Sequence, residues 1–159
     1  MITGFDSAFV ALIGSEGAYS NNPKDPGAET MYGVTKRVAL ANGYTGEMKN
    51  LTLDQAKTIA KLEYWDKYDC DQFSPNVAFH VFDAAYNGGH PIQWLQTVVG
   101  VTIDGVMGPA TVGAVRAGND DAIIRKFGAL RMLYLCDLVT WPAFGKGWMR
   151  RLANNQLMT

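Results

Sequence analysis

The sequence predicts a mainly α fold, a helical bundle that carries one irregular polar loop or small hairpin near the N-terminus. Apolar residues recur at helical spacing in each strong segment, as Phe5, Phe9, Leu12 and Ile13 do in the first. Helix start signals precede most of these segments. Between residues 19 and 27 the pattern gives way to a polar stretch that is dense in turn residues. A chain of 159 residues is long enough to fold around one core without disulfides.

The first predicted helix covers about residues 6–14, and a second begins at the capping box of Thr52 and Gln55. A third opens at Ser74, an N-cap followed by proline, and ends at Asn87, just before two glycines. Further helices are predicted over residues 91–99, 108–115, 119–139 and 148–157, with the pair Trp141-Pro142 ending the long helix 119–139.

Composition and charge argue against several classes of protein. The net charge of -1 does not favour a nucleic-acid partner, and no stretch reaches the roughly 18 apolar residues that membrane insertion requires. The two histidines lack acidic neighbours at ligand spacing, so we expect no metal and no cofactor. Residues 112–159 hold seven basic and three acidic side chains. This balance suits a polyanionic wall or membrane surface, although a solvated helix face would look the same.

Glu16 is the first candidate for chemistry. It follows the apolar residues Leu12 and Ile13 by about one helical turn, and a carboxyl group in a partly apolar setting can stay protonated near neutral pH. Such a group can protonate the leaving oxygen of a glycosidic bond. Asp25 can then stabilise the sugar cation or activate a water, and Thr30 can hold a water or a sugar hydroxyl. On spacing alone the pattern is weak, because a glutamate at a helix end is usually solvated or part of a cap.

The segment that contains these residues, 16–35, reads EGAYSNNPKDPGAETMYGVT. It resembles the signature of glycoside hydrolase family 108, a Glu-Gly-Gly-Tyr motif followed by Asn, Pro, Asp, a glycine pair, Thr and Gly. The family includes phage endolysins that cut peptidoglycan as N-acetylmuramidases, and its catalytic glutamate corresponds to Glu16. The sequence departs from the motif at Ala18 and at Ala28-Glu29. The added carboxylate of Glu29 leaves the identity of the second catalytic group open.

The resemblance continues along the chain in the order expected of the family. Residues 82–89 match the helix end that follows the catalytic motif, and residues 94–96, 104–111 and 144–151 resemble a predicted peptidoglycan-binding region often joined to it. The resemblance therefore implies a lysozyme-like helical bundle. Within it we expect a muramidase catalytic region at 1–88 and a peptidoglycan-binding helical region at 89–159, packed into the same globule.

Four further residues are candidate substrate ligands. Tyr19 and Tyr32 flank the polar loop and can stack on sugar rings or hydrogen-bond to them, although isolated tyrosines more often pack half-buried. Asn21 belongs to the same motif. Asn87 can bind an acetamido group or cap the third helix, and the capping role is slightly favoured.

The resemblance implies that the protein hydrolyses the β-1,4 bond between N-acetylmuramic acid and N-acetylglucosamine in peptidoglycan. We expect it to be a monomer. Glu16 would act as the general acid, with Asp25 and Thr30 as its catalytic partners. Two alternatives remain open: a lytic transglycosylase, which needs one catalytic acid/base, and a non-catalytic wall-binding protein. Because the N-terminal residues lack the pattern of a signal peptide, we expect synthesis in the host cytoplasm and release to the cell wall by a holin.

Overall fold

The computed structural model describes residues 1–14, 19–21 and 29–159. This part of the chain is mainly α, which confirms the predicted fold class. Its helices are α1 (Phe5–Ile13), α2 (Lys36–Ala41), α3 (Leu53–Ala60), α4 (Pro75–Asn87), α5 (Pro91–Val99), α6 (Pro109–Ala117), α7 (Asp120–Cys136) and α8 (Trp141–Met158). Three short strands, β1 (Ser20–Asn21), β2 (Glu29–Met31) and β3 (Val34–Thr35), form an antiparallel sheet in the order β1-β2-β3.

Shorter helical segments connect the main elements. Helix α3 continues into a π-helical turn at Lys61–Trp65, and single 3₁₀ turns occupy Met48–Asn50, Asp66–Tyr68 and Cys70–Gln72. In the described ranges no helix combines the length and the apolar character needed to cross a bilayer.

Helix α4 is buried along most of its length. Residues 77–84 are all buried, as expected of a helix that is covered on every side rather than along one stripe. Helices α1, α5 and α7 pack against it, and the Phe82 ring meets the rings of Phe5 and Trp65 edge-on at 5.8 and 5.5 Å. The hydrophobic cluster around α4 runs from Ile2 to Phe127 and draws residues from both sides of residue 88.

Start signals in the sequence act as predicted at three helices. The Ser74 and Asn119 side chains each accept the backbone N–H three residues further on, at 3.4 and 2.9 Å. Thr52 and Gln55 form a reciprocal capping box with distances of 3.2 and 3.0 Å. These bonds satisfy N–H groups that have no partner inside the helix.

The C-terminal helices differ from the prediction. Helix α7 ends at Cys136 rather than near residue 139, and α8 begins at Trp141, seven residues before the predicted start at Trp148. Pro142 therefore starts a helix instead of ending one. In the first turn of a helix the backbone N–H has no intrahelical acceptor, so proline costs little there and its fixed φ suits the helix.

Candidate active site

The turn between β2 and β3 is hydrogen-bonded to helix α4. Tyr32 and Gly33 join β2 to β3, and both have positive φ, 51° and 80°, as a two-residue hairpin of the favoured twist requires. The Tyr86 hydroxyl of α4 donates to the Tyr32 carbonyl at 2.7 Å. Burial raises the pKa of Tyr86, so the phenol stays protonated and keeps this bond. The hairpin is thus held against the core at one point of its turn.

A second fastening involves Glu29 at the start of β2. Its carboxylate accepts a hydrogen bond from the Tyr19 hydroxyl at 2.8 Å and one from the Lys36 ammonium at 2.6 Å, each on a different oxygen. The bond from Lys36, followed by that from Tyr19, lowers the pKa of Glu29. An ionised carboxylate with both oxygens engaged cannot serve as a general acid. Glu29 is therefore suited to bracing the hairpin.

The sheet brings several of the candidate residues together. Tyr19 directly precedes β1, and Asn21 on β1 pairs with Glu29 on β2. Thr30 lies on the central strand between Ser20 and Thr35, and it is half-buried. Tyr32 occupies the turn. Their roles as catalytic or sugar-binding residues stay predictions, and Glu16 and Asp25 lie outside the described residues.

Asn87 lies at the other end of α4 from its N-cap, in a network of polar side chains. Its amide nitrogen donates to the Asp83 carbonyl at 2.9 Å and to the Asp83 carboxylate at 3.2 Å. Its amide oxygen accepts a hydrogen bond from Arg151 of α8. Asn87 is the last residue of α4 and Gly88 is the C-cap, so the Asn87 amide adds a side-chain hydrogen bond to the last turn and is not itself the cap that the sequence favoured.

Asp83 and Arg131 form a buried ion pair that joins α4 to α7. Their exposed fractions are 1% and 3%. Sequence reasoning missed this pair, although one signal was available. Asp83 directly follows Val81 and Phe82 and precedes Ala84 and Ala85 in the sequence, and a carboxylate in such an apolar run normally has a cationic partner.

A groove of about 500 Å³ lies between the C-terminal end of α1 and one face of α8. We call it the α1–α8 groove. Residues 11–14 and Asp83 line one side, and the α8 side includes Trp148, Arg150, Arg151 and Asn155. Gly14, where α1 ends, precedes Glu16 by two residues in the chain. The groove therefore adjoins the predicted catalytic motif in sequence.

A different polar cluster closes the loop between α5 and α6. The buried Gln96 amide nitrogen donates to Asp104 at 2.7 Å and to Thr111 at 3.2 Å, while its oxygen accepts the Gly105 N–H at 3.0 Å. Hydrogen bonds from the Val106 N–H and from Gln96 lower the pKa of Asp104. We call these contacts the Gln96 clasp. They engage polar groups of motif 104–111 in hydrogen bonds inside the protein. Among the described residues no cluster of histidine, cysteine or acidic side chains is arranged to hold a metal ion.

Comparison with known proteins assigns the family. Residues 9–89, slightly more than half of the chain, match the family model described as Glycosyl hydrolase 108. The chain belongs to the glycosyl hydrolase 108 family. Residues 90–153 match a second model, described as Predicted Peptidoglycan domain. This glycosyl hydrolase 108 protein is accordingly a glycoside hydrolase that acts on peptidoglycan.

A solved structure supports the assignment over nearly the full length. The structure of Brucella abortus SagA is similar to this glycosyl hydrolase 108 protein with a TM-score of 0.88 and 34% sequence identity. The similarity covers 97% of this chain and 92% of that chain. No curated protein matches the chain significantly.

Proposed function

We propose that this glycosyl hydrolase 108 protein is an N-acetylmuramidase that cleaves the β-1,4 bond between N-acetylmuramic acid and N-acetylglucosamine. One observation carries the proposal: helix α1 ends at Gly14, in the α1–α8 groove. Gly14 precedes Glu16, the glutamate of the family motif, by two residues in the chain. A helix anchored in the core thus leads directly into the motif. Its partly buried residues Leu12 and Ile13 line the same groove.

In this proposal Glu16 protonates the glycosidic oxygen as the bond to it breaks. Positive charge develops at the sugar ring, and Asp25 either stabilises that charge or removes a proton from the attacking water. Thr30 orients the water or a sugar hydroxyl. Glu29 is a poor substitute for either carboxylate, because Tyr19 and Lys36 already occupy both of its oxygens.

The substrate would lie over the sheet. Tyr19 is 41% exposed, and its hydroxyl is committed to Glu29, so the ring is available to stack on a sugar. Asn21 is exposed beside it, and Tyr32 has a fixed carbonyl and a half-buried ring. Asn87 would contact an acetamido group through an amide that Asp83 and Arg151 already orient.

Dye release from labelled, purified peptidoglycan tests the proposal. We expect Glu16→Gln to lower the rate by about 10²- to 10⁴-fold or more, since the substitution keeps the shape and removes the proton. Asp25→Asn should cost less than Glu16→Gln. Glu47→Gln removes an exposed glutamate from the connection before α3 and serves as the matched control with near wild-type rates.

Thermal unfolding of each variant distinguishes loss of chemistry from loss of structure. The proposal requires Glu16→Gln to unfold within a few degrees of the wild type while being inactive. An active Glu16→Gln variant, or one that is inactive only because it is unfolded, would contradict the assigned role. If the wild type binds peptidoglycan but releases no dye, the protein is a wall-binding protein and not an enzyme.

A further inference from the structure

Helix α8 presents a positively charged face to the α1–α8 groove. The helix as a whole carries three basic residues, Lys146, Arg150 and Arg151, and no acidic one. Both arginines line the groove. The carboxylate that also lines it, Asp83, is neutralised by its buried pair with Arg131. The net charge of the described residues that line the groove is therefore positive, which favours an anionic ligand.

Asn155 supplies a second and independent observation. It is 3% exposed, lines the groove, and its amide nitrogen has no hydrogen-bond partner in the described part of the chain. A buried donor without a partner costs stability, and native proteins seldom leave one unpaired without a use for it. A ligand that offers an oxygen in the groove would supply the missing acceptor.

The groove also has an apolar part. Leu12 and Ile13 line it from α1, and Phe144 and Trp148 line it from α8 with their ring centroids 5.9 Å apart. Phe144 is 47% exposed. Rings of this kind accept the apolar face of a sugar or a small aliphatic side chain. The ligand that fits is thus amphipathic, with an anionic group, an amide or similar oxygen, and an apolar surface.

Motif 104–111 of the peptidoglycan domain offers no comparable set of polar groups. The Gln96 clasp pairs its polar atoms with one another, so motif 104–111 stabilises the connection between α5 and α6. Two buried side-chain nitrogens have no hydrogen-bond partner among the described residues. One is Arg131 Nε on α7, whose guanidinium already pairs with Asp83, and the other is the Asn155 amide nitrogen on α8, two residues beyond the matched region 90–153, in the groove that Arg150 also lines.

We propose that the α1–α8 groove binds the stem peptide attached to muramic acid, so that α8 selects peptide-bearing glycan strands for cleavage. This inference rests on the proposed function. N-acetylglucosamine is uncharged, whereas the stem peptide carries free carboxylates and several amide carbonyls on a backbone of small aliphatic residues. Arg150 binds a peptide carboxylate, the Asn155 amide nitrogen donates to a peptide carbonyl, and Trp148 and Phe144 pack against the aliphatic part.

Calorimetric binding of two soluble disaccharides tests the inference. One is N-acetylglucosaminyl-N-acetylmuramic acid with its stem peptide, and the other is the same disaccharide after an amidase has removed the peptide. We expect the wild type to bind the peptide-bearing form at least about tenfold more tightly, with the preference falling as salt is raised. Measurable binding that ignores the peptide, or no binding of the peptide-bearing form at millimolar concentration, would overturn the inference.

Two variants assign the contacts. Asn155→Leu keeps the volume and removes the unpaired donor, so it should leave thermal stability unchanged or raised while weakening peptide-dependent binding about tenfold. Arg150→Gln should weaken it by a similar factor and reduce its salt dependence. Arg125→Gln removes an exposed arginine of α7 outside the groove and is the charge-matched control. Should Asn155→Leu fail to fold, Arg150→Gln decides alone, and wild-type affinity in that variant would overturn the inference.

The peptide-binding inference and the proposed cleavage reaction can each be contradicted without the other. The bond inside the disaccharide is not the one that an N-acetylmuramidase cuts, so the probe remains intact during the titration. A protein that prefers the peptide-bearing probe but releases no dye from peptidoglycan contradicts the proposed function alone. A protein that releases dye and binds both probes equally contradicts only the role of α8.

Discussion

Asp83 and Arg131 show how much the interior of this protein depends on a single polar contact. Both side chains are almost fully buried, and Asp83 also accepts a hydrogen bond from Asn87. We expect Arg131→Met to destabilise the fold by about 3–5 kcal/mol, because it leaves a buried carboxylate without its cation. Urea denaturation measures the effect. The double variant Asp83→Asn with Arg131→Met should be more stable than Arg131→Met alone, and equal or lower stability would show that the ion pair is not the cause.

His80, one turn before Asp83 on the same helix, makes stability depend on pH. Burial, with a smaller contribution from Arg131, lowers its pKa from 6.5 to about 4, while Asp83 acts in the opposite sense. Between these values the unfolded chain binds a proton that the folded protein does not. Stability is therefore complete above pH 6.5 and falls as the pH is lowered towards 4.

The expected loss over this range is on the order of 3 kcal/mol from His80 alone. Urea denaturation at pH 7, 5.5 and 4.5 measures it against His80→Gln, which has no titrating group but can still reach the Thr159 hydroxyl that lies 3.0 Å from His80. The variant should lose less stability than the wild type on acidification. An equal loss of stability on acidification in the two proteins would contradict the conclusion that His80 is buried and neutral.

Single residues also show what the sequence can and cannot predict. The caps at Thr52, Ser74 and Asn119 were predictable because each acts on an amide three residues away. The bond from Tyr86 to Tyr32 spans 54 positions, and the pair of Asp83 and Arg131 spans 48. Nothing in local spacing selects such partners, since they meet only after the helices have packed.

At the scale of elements, the turn between β2 and β3 depends on close approach to α4. A Cβ on Gly33 would lie 2.5 Å from the Tyr86 ring, and φ there is +80°. Gly43 has the same φ of +80°, and a Cβ placed there would have no atom within 4 Å among the described residues. Alanine at either position would therefore carry the free-energy cost of a positive φ. Only alanine at Gly33 would also clash with a neighbouring side chain.

We expect Gly43→Ala to cost about 1 kcal/mol from its positive φ. Gly33→Ala should cost about 1–3 kcal/mol more, because the new methyl group displaces Tyr86. It should also lower peptidoglycan cleavage through the displaced hairpin. Thermal denaturation and dye release on both variants provide the comparison, and equal losses of stability would mean that the Tyr86 contact does not hold the turn.

Elements also differ in how well their boundaries were predicted. Helix α5 has the predicted bounds, since a proline at its start and a glycine after its end mark both limits. Helix α8 begins seven residues earlier than predicted, because a proline can either end a helix or occupy its first turn. Packing of α7 on α8 and ring contacts of Trp148 with Trp141 and Phe144 favour the longer helix.

At the scale of the whole molecule, the two matched regions share a hydrophobic core. The cluster around α4 includes Trp94, Leu95, Val115 and Phe127 from beyond residue 88, and Asp83 finds its partner on α7. Sequence motifs predicted a division at residues 88 and 89, and the boundary stays a prediction. A sequence motif identifies a segment that resembles a family, but it does not show which segments pack against one another in the core.

We expect the full chain to unfold in one calorimetric transition. A fragment of residues 1–88 should lack a cooperative transition, since it would expose the α4 face that packs on α5 and α7 and leave Asp83 unpaired. Circular dichroism during heating compares the two proteins. A fragment that melts cooperatively near the temperature of the full chain would show that the regions fold independently.

Mass spectrometry of the fragments that the wild type and Glu16→Gln release from purified peptidoglycan tests the muramidase reaction and the role of Glu16 together. We predict fragments with reducing-end N-acetylmuramic acid from the wild type and none from the variant. Anhydro-muramic ends would make the protein a lytic transglycosylase, and reducing-end N-acetylglucosamine would move the cut to the other glycosidic bond. Identical fragments from both proteins would contradict Glu16 as the general acid.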